Sequence, residues 1–425
     1  MKRSLVIPCL FGLLSLVGCD PKADGIEGVA QPTGFAVLHS DYSTASIALL
    51  GPDGKIVKKR FVHSGSTFAG LESALSGDAM LPTVSNEAGV LTYFERSGAD
   101  MVTRIDIEAG EVLSQLKVQD ENDSSGYSSN PQDYLYVDAN SAWITRYEPN
   151  LEGGAKTKDP GNDLLMINPG ASKRTSTRIS FDKFNDKGTV ENPDTGETME
   201  VTIYARPGRM AMAGDRLVVG LSRLSASFDA IGVGMVAVVD LEKKSAQSLE
   251  LGALTNCSTV LPVLDDNSRV IVSCTGFYNG DRSDGAGLAI VNVEAGEASV
   301  ESMWRAAKHR NAPMATSNPA SLGGSKVVAI ADGDLGENPD RAYIVDIETG
   351  DQTLLAEATG SYVLGVGYFL ADTHIFLLPD GSTDESGVLT AGLRRFELNE
   401  DQDPKELEPL QTDKTLPPLM VQPLF

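Results

Sequence analysis

The residues best equipped for chemistry are scattered along the chain rather than grouped. The four histidines, His39, His63, His309 and His374, never fall at the short spacings that place two imidazoles on one metal ion. There is no Gly-x-Ser-x-Gly nucleophile turn, no His-Glu-x-x-His and no Cys-x-x-Cys. Gly232-Val233-Gly234-Met235-Val236-Ala237 satisfies Gly-x-Gly-x-x-Ala, but a dinucleotide site needs those glycines to open a helix, and here they open a β-rich run. Carboxylates do cluster: Asp120 with Asp123; Asp281 with Asp284; Asp332, Asp334, Glu337 and Asp340; Asp380, Asp384 and Glu385. Calcium takes about six to eight oxygens, and aspartates alternating with glycine fold a short loop around it. None of these segments carries the full Asp-x-Asp-x-Asp-Gly spacing with a later glutamate, so solvated acidic turns are the simpler reading. Asp332-Gly333-Asp334 is the best candidate for a structural calcium, and no other cofactor is expected.

The elements that position these residues repeat. A β-rich apolar run ending in turn residues occurs seven times, closing at Gly51, Asp106, Asn168, Asp240, Asn292, Asp346 and Glu397. The intervals are 55, 62, 72, 52, 54 and 51 residues, slightly longer than the common propeller-blade period of about 40 to 50. Two insertions explain the long intervals: a loop over residues 148–162 and a polar segment over 182–200. Each run follows a hairpin, as where Asp138-Ala139-Asn140-Ser141 separates Tyr134-Leu135-Tyr136-Val137 from Ala142-Trp143-Ile144-Thr145. Two hairpins make a four-stranded antiparallel sheet. Helical periodicity is nearly absent, with one short helix expected over residues 303–309. Seven such sheets set radially bury each other's faces and leave only short edges, so the expected fold is all-β, a seven-bladed β-propeller over residues 34–425. The first unit lacks an innermost strand. Residues 415–425 are left to supply it, although Pro417, Pro418 and Pro423 argue against a regular strand there.

This layout gathers side chains that are far apart in sequence. Connections from second to third strands and those between blades share one end of the ring. Arg96, Arg146 and Arg223 then lie just past second strands, and Arg206, Arg209 and Arg310 in blade-linking segments. These guanidinium forks suit an anionic small molecule, with Tyr147, Tyr278 and Trp304 as stacking surfaces. The competing reading is that each arginine pairs with a nearby carboxylate.

The start of the chain bears on location. Lys2 and Arg3 precede an apolar run over residues 5–18, too short for the roughly 20 residues of a membrane-spanning helix and suited to a signal peptide over 1–18. Leu16-Val17-Gly18-Cys19 resembles the bacterial lipobox. That resemblance implies lipidation of Cys19, with residues 19–33 as a flexible tether and Asp20 bearing on which membrane holds it. The expected location is the bacterial cell envelope, at the outer membrane or the periplasmic face of the inner membrane. Without Lys2 and Arg3, 33 basic residues face 59 acidic ones and the net charge is −26, which argues against nucleic acid as a partner. Cys9 leaves with the signal and Cys19 is lipidated, so Cys257 and Cys274 remain. A hairpin turning at residues 265–267, with Leu264 opposite Asn267, sets them face to face as a disulfide.

Arg216-Leu217-Val218-Val219-Gly220-Leu221 followed by Val236-Ala237-Val238-Val239-Asp240, and Ala142-Trp143-Ile144-Thr145 followed by Leu164-Leu165-Met166-Ile167-Asn168, resemble the YVTN-type repeats of exported bacterial propellers. The similarity runs over residues 33–411 and specifies a blade, not an activity. The Tyr-Val-Thr-Asn core is missing from the sixth unit, and the connecting loops are long. Some lipid-anchored propellers resemble partners of outer-membrane receptors that take up iron chelates or other nutrients, an analogy of architecture. The preferred reading is therefore a non-enzymatic ligand-binding or protein-interaction module, accessory to such uptake or to another envelope protein. A propeller enzyme is the alternative. A quinone-dependent dehydrogenase would want more tryptophans than Trp143 and Trp304, and a lyase would use a metal held by residues such as His39 and His309. A structural or adhesion component of the envelope is the third reading.

Overall fold

The computed structural model describes residues 32–120, 122–123, 125–152, 159–192, 195–278, 282–306, 318–333, 338–399 and 402–425. Cys9, Cys19 and nearly all of the tether therefore lie outside the described residues. Among the described residues no helix is long and apolar enough to cross a membrane.

Among the described residues, seven four-stranded antiparallel sheets follow one another along the chain. The third sheet shows the plan: Pro131–Asp138 pairs with Ser141–Pro149, that strand with Gly161–Asn168, and the latter with Lys173–Ser180. All seven runs singled out in the sequence are third strands; where both faces are buried, as in Met235–Asp240, the strand is apolar at successive positions, whereas Arg104 and Arg394 interrupt two of the runs. In Gly34–Ser40, Ala36 and Leu38 join a core cluster with Leu91 and Tyr93 of the second sheet. Phe35 and Val37 point the other way, into a cluster with Leu377 and Leu393 of the seventh. Alternation along one strand thus feeds two interfaces, and clusters of this kind join every consecutive pair of sheets and then the seventh to the first. The ring is closed, with a propeller layout.

The seam is the first sheet. Pro418–Leu424 pairs antiparallel with Gly34–Ser40 and becomes its innermost strand, with Val37 opposite Val421. The prolines are tolerated because one side of this strand faces the axis and needs no donors there. Pro131, Pro207 and Pro262 occupy innermost strands of other sheets for the same reason.

Three local expectations change. Residues 303–305 end the strand Glu297–Arg305, so a helix does not start at 303; Leu288 and Ala289 pair with Trp304 and Met303 and hold them in the sheet. The polar insertion folds into a hairpin of Asp186–Glu191 and Thr198–Tyr204, joined by Leu224–Ser225 as a separate three-stranded sheet. Cys257 and Cys274 form the disulfide, but Thr259 pairs with Ser273 and a bulge follows Pro262, so the register differs by one residue from the expected one.

Candidate functional site

The innermost strands enclose an axial channel of about 1120 Å³. Met80, Gln132, Arg209, Thr259, Ser321, Tyr368 and Gln422 contribute to its wall, one from each sheet. One end of the ring carries the second-to-third and fourth-to-first connections and is called here the loop face. At that mouth stand Asn130, Tyr147, Phe228, Asn256, Thr275, Tyr278 and Asn318. Amides, hydroxyls and aromatic rings alternate with aliphatic side chains such as Leu135, Val260, Leu261 and Met420, and among the described residues the charged ones lining the channel are Arg96, Arg209 and Glu148.

The topology does bring Arg96, Arg146, Arg206, Arg209 and Arg223 to the loop-face half of the ring, and each meets a carboxylate. Arg96 Nε donates to Asp78 Oδ1 at 2.9 Å. Arg206 Nη1 lies 2.5 Å from Glu148 Oε2, and its Nε and Nη2 donate to the carbonyls of Leu224 and Ser225. Its guanidinium lies 5.0 Å from the ring centre of Tyr147 and 4.3 Å from that of Phe228. Arg223 Nη2 donates to Asp186 Oδ2 of the inserted hairpin at 3.0 Å. Arg209 Nη1 donates to the Leu81 carbonyl at 2.7 Å, stands 3.5 Å from Asp133 Oδ1 and covers the ring of Phe94.

Asp133 was invisible as a site residue in the sequence, yet it joins three sheets. Its Oδ1 accepts from the Thr83 amide and its Oδ2 from the Met210 amide, both at 2.8 Å. Burial pushes its carboxyl up, while Arg209 and these amides oppose the shift.

Arg146 is not a channel residue. Completely buried, it sends Nε and Nη2 to Asp163 at 2.8 and 2.7 Å, and Nη1 to Asp159 at 2.5 Å. Arg178 Nη1 donates to the other oxygen of Asp159 at 2.9 Å. Burial works against the ionised form of Asp159, but Arg146, Arg174 and Arg178 outweigh it and hold the carboxyl below its usual range. Trp304 is also displaced from its expected role, since it sits in the core between the fifth and sixth sheets with Leu288 and Tyr343. Tyr147 and Tyr278 do reach the channel. Arg310 and His309 lie outside the described residues.

The acidic turns use their oxygens on the backbone. Asp340 is fully buried and accepts four amide hydrogens, from Gly333, Tyr362, Val363 and Leu364, at 2.7–2.9 Å. Asp123 accepts from Ser125 and from the Asp159 amide, and Asp384 from Ser386 and Val388. Asp332 is described, whereas Asp281, Asp334 and Glu337 lie outside the described residues. Among the described residues no three His, Cys, Asp or Glu side chains are grouped as metal ligands. His39 is buried, with Nε2 at 2.7 Å from Thr412 Oγ1, and burial lowers its pKa to about 4 against the opposing pull of Asp413. The Gly232–Gly234 pair serves packing: a Cβ on Gly234 would stand 2.1 Å from the Leu254 carbonyl and 2.8 Å from Cys257 Sγ.

No protein-family model and no curated protein sequence matches the chain. Solved structures do. A Bacteroides fragilis protein provisionally assigned as a 6-phosphogluconolactonase is 11% identical, with 92% of this chain and 98% of that one covered and a TM-score of 0.52. U3-55K is 10% identical, with 95% and 100% covered and a TM-score of 0.51. The RRP9 WD40 repeats are 9% identical, with 93% and 96% covered and a TM-score of 0.50. At such identities the likeness is one of fold, and together with the sheet layout it makes this chain a β-propeller of four-stranded antiparallel blades.

Proposed function

We propose that this chain is a non-enzymatic binding propeller of the bacterial cell envelope, anchored by lipid on Cys19 and accessory to uptake of a nutrient or iron chelate. The observation that carries the binding role is the axial channel, a preformed cavity whose charged lining is already neutralised: Arg96 by Asp78, Arg209 by Asp133 and Glu148 by Arg206. A ligand entering it meets amides, hydroxyls and rings, the usual means by which a rigid site orients a small molecule. The anionic ligand first expected from the arginines would have to displace those carboxylates, so a neutral, hydrogen-bonding ligand fits better.

Three measurements test the reading on the full-length chain. Labelled palmitate should be incorporated and lost in Cys19→Ser; unchanged labelling would overturn the anchor. A neutral ferric hydroxamate chelate and a neutral oligosaccharide are the probes for thermal-shift binding, and a rise in melting temperature should shrink in Thr259→Trp, which puts a bulky ring into the channel wall. Hydrolysis of 6-phosphogluconolactone above background, abolished by the same substitution, would overturn the non-enzymatic assignment.

A further inference from the structure

The loop face carries a second feature, which shares Phe228 and Tyr278 with the channel mouth and extends outward from it to Tyr42 and Tyr362. The large aromatic side chains that stand exposed among the described residues are Tyr42, Phe228, Tyr278 and Tyr362, at 68, 45, 57 and 52% exposure. All four lie on loop-face connections. Tyr42, Phe228 and Tyr278 sit between second and third strands of the first, fourth and fifth sheets, and Tyr362 links the sixth sheet to the seventh. The opposite end shows isolated aliphatic exposure, as at Val137.

Three of the four also adopt left-handed backbone, with φ of 64° at Tyr42, 61° at Phe228 and 59° at Tyr362. Bulky residues avoid this region, where glycine or asparagine is the relaxed choice. Each strained tip is held from below. Ser40 Oγ accepts the Tyr42 amide, and the Tyr42 carbonyl lies so close to Gly77 that a Cβ there would be 2.4 Å away. Phe228 rests on the Arg206 guanidinium, and the Tyr362 amide donates to buried Asp340 at 2.8 Å. Rigid aromatic rings presented at fixed positions bind with little ordering cost.

The electrostatics select the partner. Exposed Asp41 adjoins Tyr42, exposed Asp229 adjoins Phe228, and Asp384 and Glu385 project from the neighbouring 381–391 connection. Among the described residues, Arg96, Arg206 and Arg223 of the same end are already bound to carboxylates. Rings set among carboxylates suit cationic and aliphatic side chains. A second copy, bearing the same net charge of −24, or an anionic lipid surface, is repelled. The chain also enters the ring at Gly34, at the end opposite the loop face, so a tether on that side leaves the aromatic rings facing away from its attachment.

Building on the reading of the chain as an interaction propeller, we propose that Tyr42, Phe228, Tyr278 and Tyr362 form the docking surface for a protein with a basic face that presents arginine and aliphatic side chains. The test places the photocrosslinker p-benzoylphenylalanine at Tyr42, at Tyr362 and, on the opposite end, at Val137 in the full chain in cells. The expected result is one protein adduct from the first two positions and none from the third. The adducted protein, purified, should bind the full chain with an affinity that falls with added salt. In Tyr42→Ala/Tyr362→Ala, which leaves the channel lining intact, it should bind about 100-fold more weakly, as for loss of two aromatic anchors, with the thermal midpoint unchanged. Adducts to lipid or to a second copy, or an affinity unmoved by the double substitution, would overturn the proposal. Capture only from Val137 would overturn this surface while leaving an interaction propeller that works through its other end. No protein adduct from any position would overturn both.

Discussion

The third and fifth sheets fasten their loop-face connections in opposite ways. In the third, Asp159 of a long connection is drawn into the interior by Arg146 and Arg178, with Asp163 completing a buried ionic cluster. In the fifth, Cys257 of the connection entering the sheet is tied covalently to Cys274 of its second strand, within a wholly apolar cluster. The ionic fastening is specific but depends on its charges staying matched, because Arg146, Asp159 and Asp163 are out of reach of water. The covalent one restricts the unfolded chain and asks little of its surroundings.

The largest predicted effect breaks the ionic side of this contrast. Arg146→Met should lower stability by about 3–5 kcal/mol, because it leaves Asp159 and Asp163 buried without their main partner; urea unfolding monitored by circular dichroism measures it. Replacing both Cys257 and Cys274 by serine should cost about 3 kcal/mol for a loop of this size, and the loss should match that caused by reductant in the native chain. A loss as large as that of Arg146→Met would erase the distinction.

Acid gives a third probe, at the ring seam. The His39 pKa is about 4 when folded, below its ordinary 6.5, so the unfolded chain binds the extra proton between these values. Its contribution is complete above pH 6.5 and is lost as pH falls towards 4, by about 2–3 kcal/mol. His39→Gln should flatten the stability curve across that window, and an unaltered curve would refute this assignment. The smallest effect belongs to a surface pair: Lys55→Ala removes the exposed contact with Asp53, and no measurable change in melting temperature is expected. The contrast between buried and exposed charges would fail if it produced one.

What local chemistry dictates was legible in the sequence. Third strands were legible because both of their faces are buried and turn residues end them, as in Met235–Asp240. The gathering of arginines at one end followed from strand direction alone. Their neutralisation did not, because Arg209 meets Asp133 from another sheet, and Arg223 meets Asp186 from an insertion that reads only as polar. The neutral lining, Asn130, Gln132 and Asn256 among others, gives no charge signal to follow. Trp304 looked available as a stacking surface because the run from residue 303 carries no strong strand alternation, and its partner Leu288 lies in another run. The disulfide was anticipated despite a bulge after Pro262, since a one-residue slip at the turn still leaves the two sulfurs within reach.

The pairing of Pro418–Leu424 with Gly34–Ser40 has a consequence for biogenesis. One of the first strands to leave the ribosome must wait for one of the last, and the six sheets made in between cannot close on themselves. Contacts that span nearly the whole polypeptide form slowly, so the nascent arc exposes two apolar flanks until synthesis passes residue 424. A chaperone that shields those flanks, or a permuted gene that moves the join elsewhere, would change the yield of folded molecules without altering a single native contact.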